Sequence, residues 1–232
     1  MNIKKSRLVL IILMGLMLLH TPAESRFLFF GRKKTETEKK VDVQLNNFKS
    51  KKPAQRIRAV RNLKKLGGEN VREHLIEKLQ SEKDSGVRAE IAENIASMKG
   101  KDVADALKSQ ISREEDSRSR TVEVLALGIN AAPGSVEFLG NIFLDTGEDI
   151  DVRLQAGNGL SYGDSKKALE IFTLALEDEN ERIRKQALIG IHNINAPYEK
   201  KMEVFREALR DESNQVSGFA RELMDIYLKG RR

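Results

Sequence analysis

Cysteine is absent from the sequence, and so is tryptophan. Without thiols there is no disulfide, no cysteine-ligated zinc and no thiol chemistry, so packing alone must hold the fold. Aromatics make up 5% of the 232 residues, which leaves a core of Leu, Ile, Val and Ala, side chains that fill helix–helix interfaces well. Only four prolines interrupt the chain, and all-α is the natural class. The histidines are His20, His74 and His192, with no H-E-x-x-H spacing and no acidic i, i+4 ligand set. There is no G-x-S-x-G elbow and no glycine-rich loop after a strand. The sequence therefore reads as non-enzymatic, with no catalytic residue, metal or cofactor assigned.

What is present begins with a targeting pattern. Lys4, Lys5 and Arg7 precede the apolar run LVLIILMGLMLL at 8–19, and small residues follow at Ala23 and Ser25. A helix over that run reaches about 18 Å, short of the roughly 30 Å hydrocarbon core, and extending it to Phe30 would bury Pro22, Glu24 and Arg26. Residues 1–25 are read as a signal peptide cleaved after Ser25, which sends the protein to the periplasm or another part of the cell envelope. An uncleaved anchor is the alternative.

Charge is distributed unevenly. Residues 26–65 hold fourteen Lys or Arg against three acids, and 66–232 hold twenty-four against thirty-one. Residues 26–35 form a basic, phenylalanine-rich arm, in which Phe27, Phe29, Phe30, Arg32, Lys33 and Lys34, with Lys39 and Lys40 just beyond, are candidate contacts. Such an arm suits an anionic membrane surface or a protein partner on which it orders.

Beyond the arm the chain repeats itself. FTLALEDENERIR at 172–184 returns as FREALRDESNQVS at 205–217, and earlier copies lie upstream. Placing a first position on Gln55, Val87, Ser117, Val152, Ile183 and Val216 gives a period near thirty-two. The fifth column is then Ala59, Ile91, Thr121, Ala156, Ala187 and Ala220, and the ninth is Leu63, Ile95, Leu125, Leu160, Ile191 and Met224. Steps of four put both columns on one helical face. The first half of each unit carries its own stripe: Val71, Leu75, Leu79; Val103, Leu107, Ile111; Val136, Leu139, Phe143; Leu169, Phe172, Leu176; Met202, Phe205, Leu209. Val41, Leu45 and Phe48 open the first unit. Each unit is a helix, a short polar turn and a second helix. Gly157, Gly159 and Gly163 fall in one second helix, where they mark a close contact or a loose segment, and the least stable part of the stack is expected there.

The phrases Asp84-Ser-Gly-Val87-Arg88, Asp151-Val152-Arg153 and Asp178-Glu-Asn-Glu-Arg-Ile183-Arg184, each followed by the small or apolar column, resemble the HEAT repeat family in its short bacterial form. The resemblance covers residues 36–229 and implies an α-solenoid of about six stacked antiparallel helix pairs. One pair cannot bury its own apolar face, so each copy walls the next. It further implies that the second helices line a concave surface, and that Arg88, Arg153 and Arg184 form an Asp–Arg ladder between repeats. HEAT-like deoxyhypusine hydroxylases bind iron through His–Glu pairs; here Glu73-His74 has the reverse order and stands alone.

On the inner surface the outward columns include Arg61, Lys65, Glu93, Glu123, Asn158, Tyr162, His192 and Asn193, which are the candidate partner-binding residues. A groove running from basic to acidic to polar suits a protein or peptide better than a uniform polyanion. The reading is an exported binding or scaffolding module. A membrane-peripheral protein tethered by its arm is the runner-up, nucleic acid ranks last, and an enzyme of unknown type is the outsider. The oligomeric state is left open.

Overall fold

The computed structural model describes residues 33–229. The signal segment and the arm residues Phe27, Phe29, Phe30 and Arg32 lie outside them. Twelve α-helices follow one another among the described residues, with no strand: α1 (Glu36–Asn47), α2 (Pro53–Leu66), α3 (Glu69–Ser81), α4 (Ser85–Ile95), α5 (Lys101–Ile111), α6 (Ser117–Asn130), α7 (Ser135–Leu144), α8 (Ile150–Leu160), α9 (Ser165–Leu174), α10 (Glu181–Asn193), α11 (Tyr198–Ala208) and α12 (Asn214–Lys229).

The chain divides into two compact units at Val43 and Gln44, and α1 runs across that division. In the first unit Thr35 and Glu38 form a capping box: the Glu38 carboxylate accepts from the Thr35 N–H at 2.6 Å, and the Thr35 hydroxyl from the Glu38 N–H at 3.1 Å. Lys34 pairs with Asp42 and Lys39 with Glu36, both at 2.6 Å.

The second unit is an all-α solenoid. Second helices pack in chain order, α2 on α4, α4 on α6, α6 on α8, α8 on α10 and α10 on α12, while first helices pack on one another at α3–α5 and α7–α9. Sequence chemistry sets each start. Pro53 opens α2 where its missing N–H costs nothing. Carboxylates or an amide cap four of the second helices: Asp84 accepts from Val87 N–H, Asp116 from Ser119 N–H, Asp149 from Val152 N–H and Asn180 from Arg182 N–H. Between α2 and α3 the chain turns through Gly67 and Gly68 at φ 65° and 100°, the left-handed region that favours glycine.

The core is the pair of stripes. Val71, Leu75, Leu79, Val103, Leu107, Ile111, Leu139 and Phe143 are buried on the first helices, and Leu63, Ile91, Ile95, Val152, Leu160, Ile183 and Ile191 on the second. Each such side chain removes enough apolar area from water to contribute about 1.5–3 kcal/mol.

The register departs from expectation in five places, one of them at the end of α11, where Ala208 is buried and Leu209 half-exposed. In α6 the first position is Ser119, the fifth Glu123 and the ninth Leu127, all buried, so the alignment on Ser117, Thr121 and Leu125 is displaced by two residues. In and after α9 the buried stripe is Ala168 and Phe172 of the helix and Ala175 of the 3₁₀ turn Ala175–Glu177 that follows it, with Leu169 and Leu176 half-exposed. In α12 Leu223 is buried in place of Met224. Gln55 is exposed, and the stripe of α2 begins at Ala59.

The glycines of α8 mark close contacts. A Cβ at Gly157 would stand 2.8 Å from both Gln186 Cγ and the Phe143 ring, and one at Gly128 of α6 would strike the backbone of Gly159; Gly163, expected inside this helix, lies in the turn after it, where a Cβ would strike Val136. Two glycine backbones therefore touch where α6 crosses α8, and no side chain fits between them.

Candidate functional site

The recurrent arginines are built into the turns. Arg56, Arg88, Arg120, Arg153 and Arg184 each follow the first position of a second helix and each reaches the next unit's turn, pairing with Glu82, Glu114, Glu148, Asp178 and Asp211 respectively. Their remaining N–H groups donate to carbonyls of the preceding turn, as Arg88 does to Glu82 and Lys83 and Arg184 to Asp178 and Glu179. Four of the acids then accept an N–H two residues on, from Asp84, Asp116, Asn180 and Ser213. The ladder between repeats is present, with five rungs. Its partners are the acids of the following turn, not the preceding-turn acids Asp84, Asp151 and Asp178 or Glu181 that stand nearest Arg88, Arg153 and Arg184 in sequence, and Arg56 and Arg120 supply two further rungs.

These guanidiniums are consumed by the fold, so the row is no anion site. The Arg184 guanidinium holds Asp211 below the usual carboxylate range. Burial works to raise Glu114, but Arg88 and the Asp116 N–H outweigh it and the net shift is downward.

The face built by the second helices is where sequence reasoning placed the site. Its fourth positions are Arg58, Glu90, Val122, Gln155 and Gln186; its seventh, Arg61, Glu93, Leu125, Asn158 and Ile189; its eleventh, Lys65, Ser97, Ile129, Tyr162 and Asn193. Two of the seventh positions bond fourth positions of the next helix. Arg61 grips Glu90 with two bonds of 3.0 and 2.7 Å, and Gln186 Nε2 donates to Asn158 Oδ1 at 2.8 Å. Arg61, Lys65, Glu93, Tyr162 and Asn193 are exposed, Tyr162 by 57%, and Asn158 is half-buried.

Glu123 is not on that face. Its relative exposure is 0%, because the two-residue shift of α6 puts it in the small, apolar fifth column beside Glu114. Burial, then repulsion from Glu114, pushes its carboxyl up to about 8, so it is neutral at pH 7. Neither carboxyl oxygen has a hydrogen-bond partner among the described residues. The seat on the open face passes to Leu125. The spacing Glu114-x-Asp116-x-x-Ser119-Arg120, which repeats Glu82-x-Asp84-x-x-Val87-Arg88, is the sequence signal that locates Glu123 correctly.

His192 is half-buried, its ring edge-on to Tyr227 at 5.6 Å and its carbonyl accepting from Lys201 Nζ at 2.8 Å. Burial, and then the Lys201 charge, lowers its pKa below the ordinary value. Of the arm residues, Lys33 and Lys40 are exposed, and Lys34 and Lys39 hold the pairs with Asp42 and Glu36. No group of three or more His, Asp or Glu placed to hold a metal occurs among the described residues. No described helix is long and apolar enough to cross a membrane.

Comparison with known proteins bears on the fold. Residues 42–128 match the family model described as HEAT repeats. No curated protein matches the chain. Among solved structures, the complex of CpcE and CpcF of phycocyanin lyase from Nostoc sp. PCC7120 is similar at 20% identity, with a TM-score of 0.53 over 67% of this chain and 98% of that one. Human deoxyhypusine hydroxylase in complex with glycerol matches at 18% identity, TM-score 0.48, over 76% and 69% of the two chains. An engineered protein matches at 19% identity, TM-score 0.48, over 80% and 95%. The helix pairs, the family match over 42–128 and the likeness to the CpcE–CpcF complex together identify the fold as an all-α solenoid of HEAT-like repeats.

Proposed function

We propose that the chain is a non-enzymatic protein-binding or scaffolding module, exported to the cell envelope, which holds its partner along the face of the second helices. The observation that carries this reading is the change of chemistry across that face: basic on α2, acidic at Glu90 and Glu93, apolar at Val122, Leu125 and Ile129, and polar with an exposed ring at Gln155, Asn158 and Tyr162. A row of differing chemistries reads a protein sequence, whereas a uniform one reads a polymer. Rungs and caps hold the helices in register, so the face is presented ready-made and little ordering opposes binding.

Photo-crosslinking tests it. A crosslinking residue at Leu125, Asn158 or Tyr162 is expected to capture one discrete partner in the native host, while the same residue at Glu73 or Asn141, exposed on first helices, captures none. Capture from the first-helix positions alone, or from neither set, overturns the reading. Export is checked by fractionating the host. The runner-up, a membrane tether through the arm, requires that replacing Lys33, Lys34, Lys39 and Lys40 by Glu abolish membrane association.

A further inference from the structure

Between Asp42 and Glu69 the chain contains no acidic residue, while it carries Lys49, Lys51, Lys52, Arg56, Arg58, Arg61, Lys64 and Lys65. Arg56 is spent on the first rung and Arg61 on Glu90. The other six are exposed and form no ion pair among the described residues. Three of the eight are aligned: Arg58, Arg61 and Lys65, at steps of three and four, make a stripe about 10 Å long on the open face of α2.

The width of this stripe selects its ligand. One helix further, at a usual packing distance of about 8–10 Å, the equivalent positions are Glu90 and Glu93, and the helix after that presents Val122, Leu125 and Ile129. A duplex or a lipid surface spreads its anions well beyond one helix diameter and would be pressed onto those glutamates. A membrane also gains most where aromatic anchors flank the cations, and between Gln44 and Gly68 the one aromatic, Phe48, is buried. A single extended strand is narrow enough to lie on the stripe alone. Arg61 already shows the geometry, holding a carboxylate through two parallel bonds.

We infer that the α2 stripe docks an acidic, extended segment of a protein partner, which runs along the helix with its carboxylates on Arg58 and Lys65. This rests on the protein-binding reading of the same face and specifies the chemistry of its partner.

The test uses the full chain and a fluorescein-labelled decapeptide of alternating Glu and Ser, followed by fluorescence anisotropy at low and physiological salt. Saturable binding that weakens with salt is expected. The double variant Arg58→Glu/Lys65→Glu should lose about tenfold or more in affinity, since both side chains are solvent-exposed and their reversal opposes every docked carboxylate. Lys166→Glu/Lys229→Glu, with the same change in net charge at exposed sites outside the stripe, should leave binding unchanged. Absence of peptide binding, or equal loss in both variants, overturns the proposal. So does binding of phosphatidylglycerol vesicles or oligothymidylate that depends on Arg58 and Lys65 when the peptide does not bind. Crosslinking at Leu125 and Tyr162 separates the two readings: partner capture that persists without peptide binding rejects the acidic segment and leaves the face intact as a binding surface, whereas loss of capture in the unaltered protein rejects the face itself.

Discussion

Glu123 occupies a column otherwise filled by Ala59, Ile91, Ala156, Ala187 and Ala220. Folding there retains a proton that the unfolded chain gives up near its ordinary value of 4.5, and the folded group titrates at about 8. Its contribution is therefore present in full below about pH 4.5 and is lost as pH climbs through 8. Glu123→Gln should leave urea stability nearly unchanged near pH 4 and raise it by roughly 4 kcal/mol near pH 9. A gain that does not grow with pH would reject the assignment. Two glycines give a second residue-scale contrast. Gly128→Ala forces a methyl into the backbone of Gly159 and should cost about 1–3 kcal/mol or more. Gly218→Ala meets nothing within 4 Å inside α12 and should gain about 0.5–1 kcal/mol. Thermal melts of the two variants read both signs. From the sequence, glycines inside a helix imply either tightness or slackness. Which holds depends on the facing residue, and the facing Gly128 is contributed by another helix.

At the scale of the element, the turn between paired helices decides the register. Each turn carries an acid that takes the preceding unit's arginine and, two residues on in four of the five and directly after it at Glu148–Asp149, a group that caps the next helix. Arg120→Met removes the counter-charge of Glu148 and should cost about 2–3 kcal/mol in chemical denaturation, whereas Arg118→Met, at an exposed position, should stay within about 0.5 kcal/mol. Equal effects would restore the register that starts at Ser117. This element also shows how far sequence reading goes. The apolar stripes were legible because period and hydrophobicity agree in nine of the buried first-helix positions they name, from Val71 through Phe143. The third pair was not, because its fifth column holds a glutamate, and a search for small or apolar residues slides past a charged one to Thr121 and Leu125. Among the site residues, Arg61 and Tyr162 were placed on the surface by spacing alone; Leu125 was missed through the same slip that nominated Glu123.

The solenoid as a whole is a sum of neighbour contacts, so its local stability should follow how many neighbours each helix has. Amide exchange is expected to be slowest in α6 and α8, which meet at the paired glycines, and fastest in α12, whose outer side leaves Ile226 and Leu228 more than half exposed. Hydrogen exchange resolved to single helices would check this order. Uniform protection along the stack would contradict it. Slow exchange in α8 would also dismiss the expectation that its glycines make it the weakest part.

Every rung runs in one direction along the chain. Arg56 waits for Glu82, Arg88 for Glu114, Arg120 for Glu148, Arg153 for Asp178 and Arg184 for Asp211, always an acid 25 to 28 residues downstream. A polypeptide emerging N-terminus first therefore completes each helix pair with one guanidinium still uncompensated, and that charge is satisfied only when the following turn appears. In synthesis from the N-terminus each closure therefore waits for the following turn, and the short span of each step keeps the entropy lost per closure small.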